Sequence, residues 1–188
     1  LLIVYALVNR PTMLDLQPGH SLIRNLLAAG VDVYLIDWGY PDAADRFLEL
    51  SDYLHRWLHE CVGRVASAAA GRVNLLGVCQ GGTLSLCYAA QRPQGIANLI
   101  TMVTPVDFQT PDNLLSAWAR GVDVELMTRS GNVPGSLLNA VYLSLMPFRL
   151  TQQKYLALGD AAQDEAGLEY FLRMERWIIL RSISSVNF

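Results

Sequence analysis

Near-continuous apolar runs alternate, through the first half of the chain, with segments whose apolar residues recur every three to four positions. Leu1–Val8 ("LLIVYALV") reads as a buried strand. Ser21 reads as the N-cap of a helix "LIRNLLAA" that stops at Gly30, a residue suited to the left-handed position past a helix end. Val31–Asp37 ("VDVYLID") is the next strand, and the turn-rich "WGYPDAAD" follows it. Leu48–Ala69 carries the spacing of a long helix, Val73–Val78 is a third strand, Gly82–Gln91 a short helix and Ala97–Val103 a fourth strand. Unbroken apolar strands separated by helices predict an α/β fold: a mostly parallel sheet covered on both faces, with right-handed crossovers.

The alternation stops after Pro105. "TPVDFQTPDN" is turn-rich, and helices are expected at about Leu114–Arg120, Pro134–Met146 and Asp164–Ile178, with "SGNVPGS" as a flexible joint. A helical region placed after the strands is where a lid would sit over a site at their ends. The expected organisation is therefore an α/β core over 1–107, a helical cap over 108–178 and an atypical tail over 179–188.

Composition narrows the function classes. With 188 residues, 52% of them hydrophobic, the chain is long enough for one sizeable core. A net charge of −3 leaves no basic stripe, so nucleic acid is not an expected partner. Three cysteines at irregular spacings do not form a disulfide framework and fit a reducing cytoplasm. The apolar run at the N-terminus is far shorter than the ~20 residues of a spanning helix and lacks a basic leader, so no transmembrane segment is expected. The chain opens inside a strand without a methionine, which predicts further sequence upstream.

The chemistry concentrates at "NLLGVCQGGT", Asn74 to Thr83. A nucleophile at the tip of a strand must turn sharply into a helix, in a strained backbone conformation that crowds its neighbours. Gly77 and Gly81, two residues either side of Cys79, make room for that elbow, and Gly82 lets the next helix pack closely. Cys79 is thus the expected catalytic nucleophile, at a helix N-terminus that favours the reactive thiolate. The elbow also aims the backbone N–H of Gln80 at a developing oxyanion, and the partner donor should come from the loop near Val8-Asn9-Arg10, with Val8 as the candidate.

A base is harder to find. In the hydrolase order an acid and then a histidine follow the nucleophile, but His20, His55 and His59 all precede Cys79. His55 and His59 stand four apart without an evident third ligand, so a solvated helix face is expected there and no metal site. Asp107 is the one well-placed carboxylate, and a turn-forming role beside Pro105 suits it better than catalysis. Cys61 and Cys87, on helices, are expected in the core.

"GVCQGGT", with "LVNRP", "LDLQP", "YLIDWGYP" and "TPVDF…PDNLL" in this order, resembles the polyhydroxyalkanoate synthases, and the glutamine after the cysteine resembles their class III type. The resemblance runs from Leu1 to about Ile178. It implies an α/β-hydrolase fold with a cap, and polymerisation of (R)-3-hydroxyacyl-CoA, commonly 3-hydroxybutyryl-CoA, with release of CoA. It implies a cysteine in place of the usual serine, matching Cys79, and no cofactor. As partners it implies the growing polyester chain, a second synthase subunit of the PhaE type and the surface of a polymer granule, and it is compatible with a homodimer. It places the catalytic aspartate and histidine downstream of this chain. The family usually continues after Trp177-Ile178 with an acidic, proline-containing stretch, whereas "ILRSISSVNF" stands here. That departure predicts a frame change, truncation or assembly artefact, and a chain inactive alone.

The chemistry of cysteine agrees with chain growth. Exchange of one thioester for another is close to thermoneutral, so the acyl group stays activated for attack by the next hydroxyl. Two other readings stand beside it: a cysteine-nucleophile esterase or thioesterase of the same fold, and a non-catalytic scaffold fragment.

Overall fold

The computed structural model describes residues 1–181 apart from 9, 70, 130, 146, 162 and 163. Its main sheet contains β1 (Leu2–Val4), β4 (Tyr34–Leu35), β5 (Val73–Val78) and β6 (Ile96–Met102) in the order β4-β1-β5-β6. Every pairing in it is parallel, with Leu2 opposite Leu75 and Val78 opposite Met102. The helices between the strands are α1 (Leu22–Ala28), α2 (His59–Ala68) and α3 (Gln80–Gln91).

Side chains alternate across a strand, so a sheet buried on both faces needs apolar residues at every position. Leu2 and Val4 of β1, with Val73 and Leu75 of β5, pack on one face against Leu58, Val62 and Val65 and against Leu84 and Tyr88 of α3. Ile3 and Tyr5, with Leu76 and Val78, pack on the other face against Leu22, Ile23 and Leu26 of α1. The doubly covered parallel sheet expected from the sequence is therefore present. Crossovers leave β1 toward β4 and β5 toward β6, so the direction of winding reverses between β1 and β5. Above the carboxyl ends of two such strands the connections part, and the crevice they leave is where open α/β sheets bind ligands.

Differences from the expectation have local causes. The strand expected over Val31–Asp37 shrinks to Tyr34–Leu35, which lies at a sheet edge and pairs only with β1. β6 is the opposite edge, and its Ile100 stays 49% exposed. The long helix is π-wound over Asp52–Leu58 before it becomes α2. A hairpin of β2 (Asp15–Gln17) and β3 (His20–Ser21) folds around Pro18-Gly19, a turn-forming dipeptide. Ser21 caps α1 as expected, its Oγ accepting from the Arg24 N–H at 2.9 Å, and Gly30 takes φ +78° past the helix end.

Beyond β6 the chain is helical: α4 (Leu114–Ala119), α5 (Val124–Thr128), α6 (Gly135–Leu145), α7 (Lys154–Ala161) and α8 (Glu165–Arg181). The supposed joint "SGNVPGS" is anchored in part, because Val133 is buried and Asn132 Nδ2 donates to the Pro41 carbonyl at 2.8 Å. α7 is tied to α8 by Lys154 and Glu175 at 2.8 Å. α8 returns to the start of the chain, where Tyr170 stacks on His20 at 4.2 Å and Trp177 Nε1 donates to the Arg10 carbonyl at 3.4 Å. The tail, as far as it is described, continues α8 to Arg181, and its last residues, 182–188, lie outside the described ones. Among the described residues no helix is long and apolar enough to cross a membrane.

Gly63 lies exposed in α2, and a Cβ there would meet nothing within 4 Å. Gly63→Ala is expected to raise stability by about 0.5–1 kcal/mol, the difference in helix propensity. A higher urea midpoint at unchanged slope would show this, and a lower one would mean the exposed face of α2 is occupied.

Candidate active site

β5 ends at Val78 and α3 begins at Gln80, so the whole reversal falls on Cys79. Its backbone sits at φ +55° and ψ −125°, a left-handed φ that costs an L-residue strain. Two hydrogen bonds hold it there. The Cys79 N–H donates to the Met102 carbonyl of β6 at 2.9 Å, and its own carbonyl accepts from the Gly82 N–H at 2.9 Å.

Three glycines permit the turn, each against a different neighbour. A Cβ at Gly77 would lie 2.8 Å from the Gly81 carbonyl and from Ser85 Oγ. One at Gly81 would run into the Val4 carbonyl and lie 2.7 Å from that of Tyr5. One at Gly82 would overlap the Thr104 side chain. Gly81 thus faces the end of β1 and Gly82 the turn after β6, so both set how closely α3 is drawn to the sheet.

Two hydroxyl groups, one buried and one half-buried, lock the elbow from behind. Ser85, fully buried, donates through Oγ to the Gly81 carbonyl at 2.7 Å. Thr83 Oγ1 donates to the Pro105 carbonyl at 2.7 Å and so straps α3 to the turn after β6. In that turn Val103, a β-branched residue, takes φ +47° and is 77% exposed. Sequence reasoning passed over Ser85, Thr83 and Thr104. Ser85 could have been found from its place one helical turn after Gly81, and Thr83 from its place beside Gly82, but nothing along the chain points to Thr104.

Gln80 is the first residue of α3, where a backbone N–H has no partner within the helix. Its side chain reaches across to the loop after β1, where Oε1 accepts from the Leu7 N–H at 3.1 Å. Trp38 Nε1 donates to the Tyr5 carbonyl at 3.0 Å in the same loop. Val8 follows Leu7 directly, half-buried, in a cleft that Ala6, Trp38, Tyr40 and Pro41 also line. Asn9 lies outside the described residues. The structure therefore links Gln80, directly after Cys79, to the loop bearing Val8 through the Leu7 N–H, whereas the cleft beside Val8 is lined from the loops after β1 and β4 and not by Cys79 or Gln80.

It does not bring a base to them among these residues. His20 receives a hydrogen bond on Nδ1 from Gln17 Nε2 at 3.1 Å and stacks on Tyr170. His55 is exposed on the π-wound turn. His59 is exposed, as expected of a solvated helix face, and makes two side-chain hydrogen bonds there. Arg92 donates to its Nε2 at 3.1 Å, so Nδ1 carries the proton and donates to Tyr88 Oη at 2.9 Å. Tyr88 is on α3, so this bond ties His59 to that helix. Among the described residues no three histidines, cysteines or carboxylates are placed to hold a metal. Asp107 is exposed, and its Oδ1 accepts from the Gln109 N–H at 2.8 Å, the turn-forming role expected for it. All three cysteines are half-buried, so exposure alone does not single out Cys79. Cys61 and Cys87 pack against the core between the sheet, α2 and α3, and burial, reinforced by Glu60, pushes the Cys61 thiol up.

A family described as the alpha/beta hydrolase fold matches residues 1–173. The chain is 57% identical over 180 residues to a poly(3-hydroxyalkanoate) polymerase subunit PhaC of Allochromatium vinosum, covering 95% of this chain and 51% of that one. It is 54% identical over 185 residues to the subunit of the same name from Synechocystis, covering 94% and 49%. To that of Haloferax mediterranei it is 40% identical over 182 residues, covering 95% and 37%. The chain spans about half the length of the first two relatives.

Proposed function

The chain belongs to the alpha/beta hydrolase fold family, and we propose that it serves within the catalytic subunit of a polyhydroxyalkanoate synthase, with Cys79 as its nucleophile. One observation carries the reading: a thiol, rather than a hydroxyl, stands at the left-handed turn between β5 and α3. The similarity to polymerase subunits across nearly the whole chain supports it.

The substrate is a (R)-3-hydroxyacyl-CoA. The Cys79 thiolate attacks the acyl carbonyl, a new C–S bond forms, and the carbonyl electrons collect on an oxyanion facing the N–H groups of Gln80 and Val8. Collapse breaks the bond to the CoA sulfur, which leaves and takes up a proton. The hydroxyl of another hydroxyacyl unit then attacks the Cys79 thioester, loses its proton to a base, and forms an ester while the thiolate is released. No histidine follows Cys79 in these 188 residues, so we assign the base and the acid that orients it to residues outside them. Residues 108–178 act as the cap over the crevice. The remaining partners of the reading are a second synthase subunit of the PhaE type, a second copy of the chain and the granule surface.

The test is direct trapping on the full-length protein. Incubation with (R)-3-hydroxybutyryl-CoA, acid quenching and peptide mass spectrometry should find a hydroxylamine-labile acyl group on Cys79 and none on Cys61 or Cys87. CoA release without an acyl-Cys79 peptide would sink the nucleophile assignment. Free 3-hydroxybutyrate as the product in place of polymer would favour the esterase reading.

A further inference from the structure

We infer that the side chain of Gln80 is a positioning residue for acyl transfer, holding the loop that carries the second oxyanion donor in register with the first. The inference rests on the proposed thioester chemistry at Cys79 and assigns a task to a side chain which that chemistry does not itself use.

The geometry has three parts. Gln80 is the residue after the nucleophile, so its backbone N–H is fixed by the elbow and the first turn of α3. Its Oε1 accepts from the Leu7 N–H at 3.1 Å, across 73 residues of sequence. The Leu7 N–H belongs to the Ala6–Leu7 peptide, one unit before the peptide that carries the Val8 N–H, so this bond anchors the chain immediately upstream of the second donor. One residue thereby contributes a donor from its backbone and anchors, through its side chain, the loop that carries the other.

The base of the loop is held as well. Trp38 Nε1 donates to the Tyr5 carbonyl at 3.0 Å, and Gly81 lets α3 close onto the carbonyls of Val4 and Tyr5. Leu7 itself packs its side chain against the core, and the bond to Gln80 adds a directional anchor at its backbone N–H. The residue type is also informative. A glutamine offers a neutral carbonyl oxygen of the required reach, whereas a glutamate would place a negative charge beside a thiolate and a developing oxyanion, opposing both. An asparagine is one methylene too short, and an apolar side chain of the same length offers no acceptor of comparable strength.

An oxyanion hole matters only for reactions that develop negative charge on a carbonyl oxygen. Two reactions of the same thiol therefore separate positioning from a merely structural role. Alkylation of Cys79 by iodoacetamide displaces iodide at a saturated carbon and makes no oxyanion. Acylation of Cys79 by (R)-3-hydroxybutyryl-CoA passes through one. In the full-length protein, Gln80→Met is expected to leave the alkylation rate of Cys79 within about twofold of wild type. The single-turnover rate of CoA release should fall by about tenfold or more, since loss of one oxyanion donor outright costs ~10²–10³-fold. Equal acylation rates for Gln80→Met and wild type would overturn the inference. So would an equal fall in both reactions, because Gln80 would then act on the thiol or the fold. A wild-type protein that is alkylated at Cys79 but acylated by no thioester would overturn the synthase reading itself, and the role of Gln80 with it.

Discussion

Cys79→Ala is expected to abolish CoA release and polymer formation by the full-length protein while leaving its thermal midpoint and circular dichroism unchanged. The loss should be on the order of 10⁴-fold or more, because a nucleophile and its partners act as a unit and removing it eliminates the covalent route. The fold should survive for a specific reason. At φ +55° alanine and cysteine bear the same left-handed penalty, since both carry one Cβ, and the two hydrogen bonds of residue 79 use only its backbone. The thiol is half-buried against Val78 and the α1 side of the core, so trimming it to a methyl removes little packing. Polymer synthesis retained by a correctly folded Cys79→Ala protein would remove Cys79 from the mechanism. Loss of activity together with loss of fold would show that the thiol supports the elbow structurally.

Gly81→Ala is expected to have the largest effect on stability of any single-methyl addition at the site. The added carbon would lie 2.6 Å from the Val4 carbonyl carbon and 2.7 Å from the Tyr5 carbonyl oxygen, closer than real Cβ atoms come. Both are backbone atoms of β1 or its immediate continuation, and β1 is hydrogen-bonded to β4 on one side and β5 on the other. No rotamer change can relieve the clash. Either α3 lifts from the sheet or β1 shifts against two partners, and overpacking of this kind costs about 3 kcal/mol or more. That is a large share of the ~5–15 kcal/mol that holds a domain together. Urea unfolding beside Gly63→Ala, where the same methyl meets open space, isolates the effect of position from that of composition. A Gly81→Ala protein within 1 kcal/mol of wild type would contradict the close approach of α3 to β1. It would also unseat the bond from Leu7 to Gln80, which depends on that approach.

Much of the core was legible beforehand because its causes are local and periodic. β5 was bounded correctly from an apolar run that stops at the glycine-flanked Cys79, and α1 from a serine cap and a glycine stop, since these signals act within a few residues. The edge strand over Val31–Asp37 was overestimated because it has the composition of a buried strand while ladder length depends on the neighbour actually present, whereas the strand expected over Ala97–Val103 forms at full length, one residue earlier. The π-winding of Asp52–Leu58 was not legible, because a π-turn keeps the same apolar composition and changes only the angular spacing.

From the order of residues alone came the parallel α/β architecture, the elbow at Cys79, its three glycines and the lack of a histidine after it. Each follows from residue type at short separation, where sterics and backbone preference act without a partner. Folding supplied the neighbours that give those residues their tasks. Gly81 is small for the sake of β1, 77 residues earlier in the count, and Gly82 for the sake of Thr104. Gln80 reaches Leu7, and His59 is claimed by Tyr88 and Arg92. These pairings join residues far apart along the chain, and their energies exist only once the sheet has brought the partners within a few ångströms, where short-ranged hydrogen bonds and steric contacts begin to act.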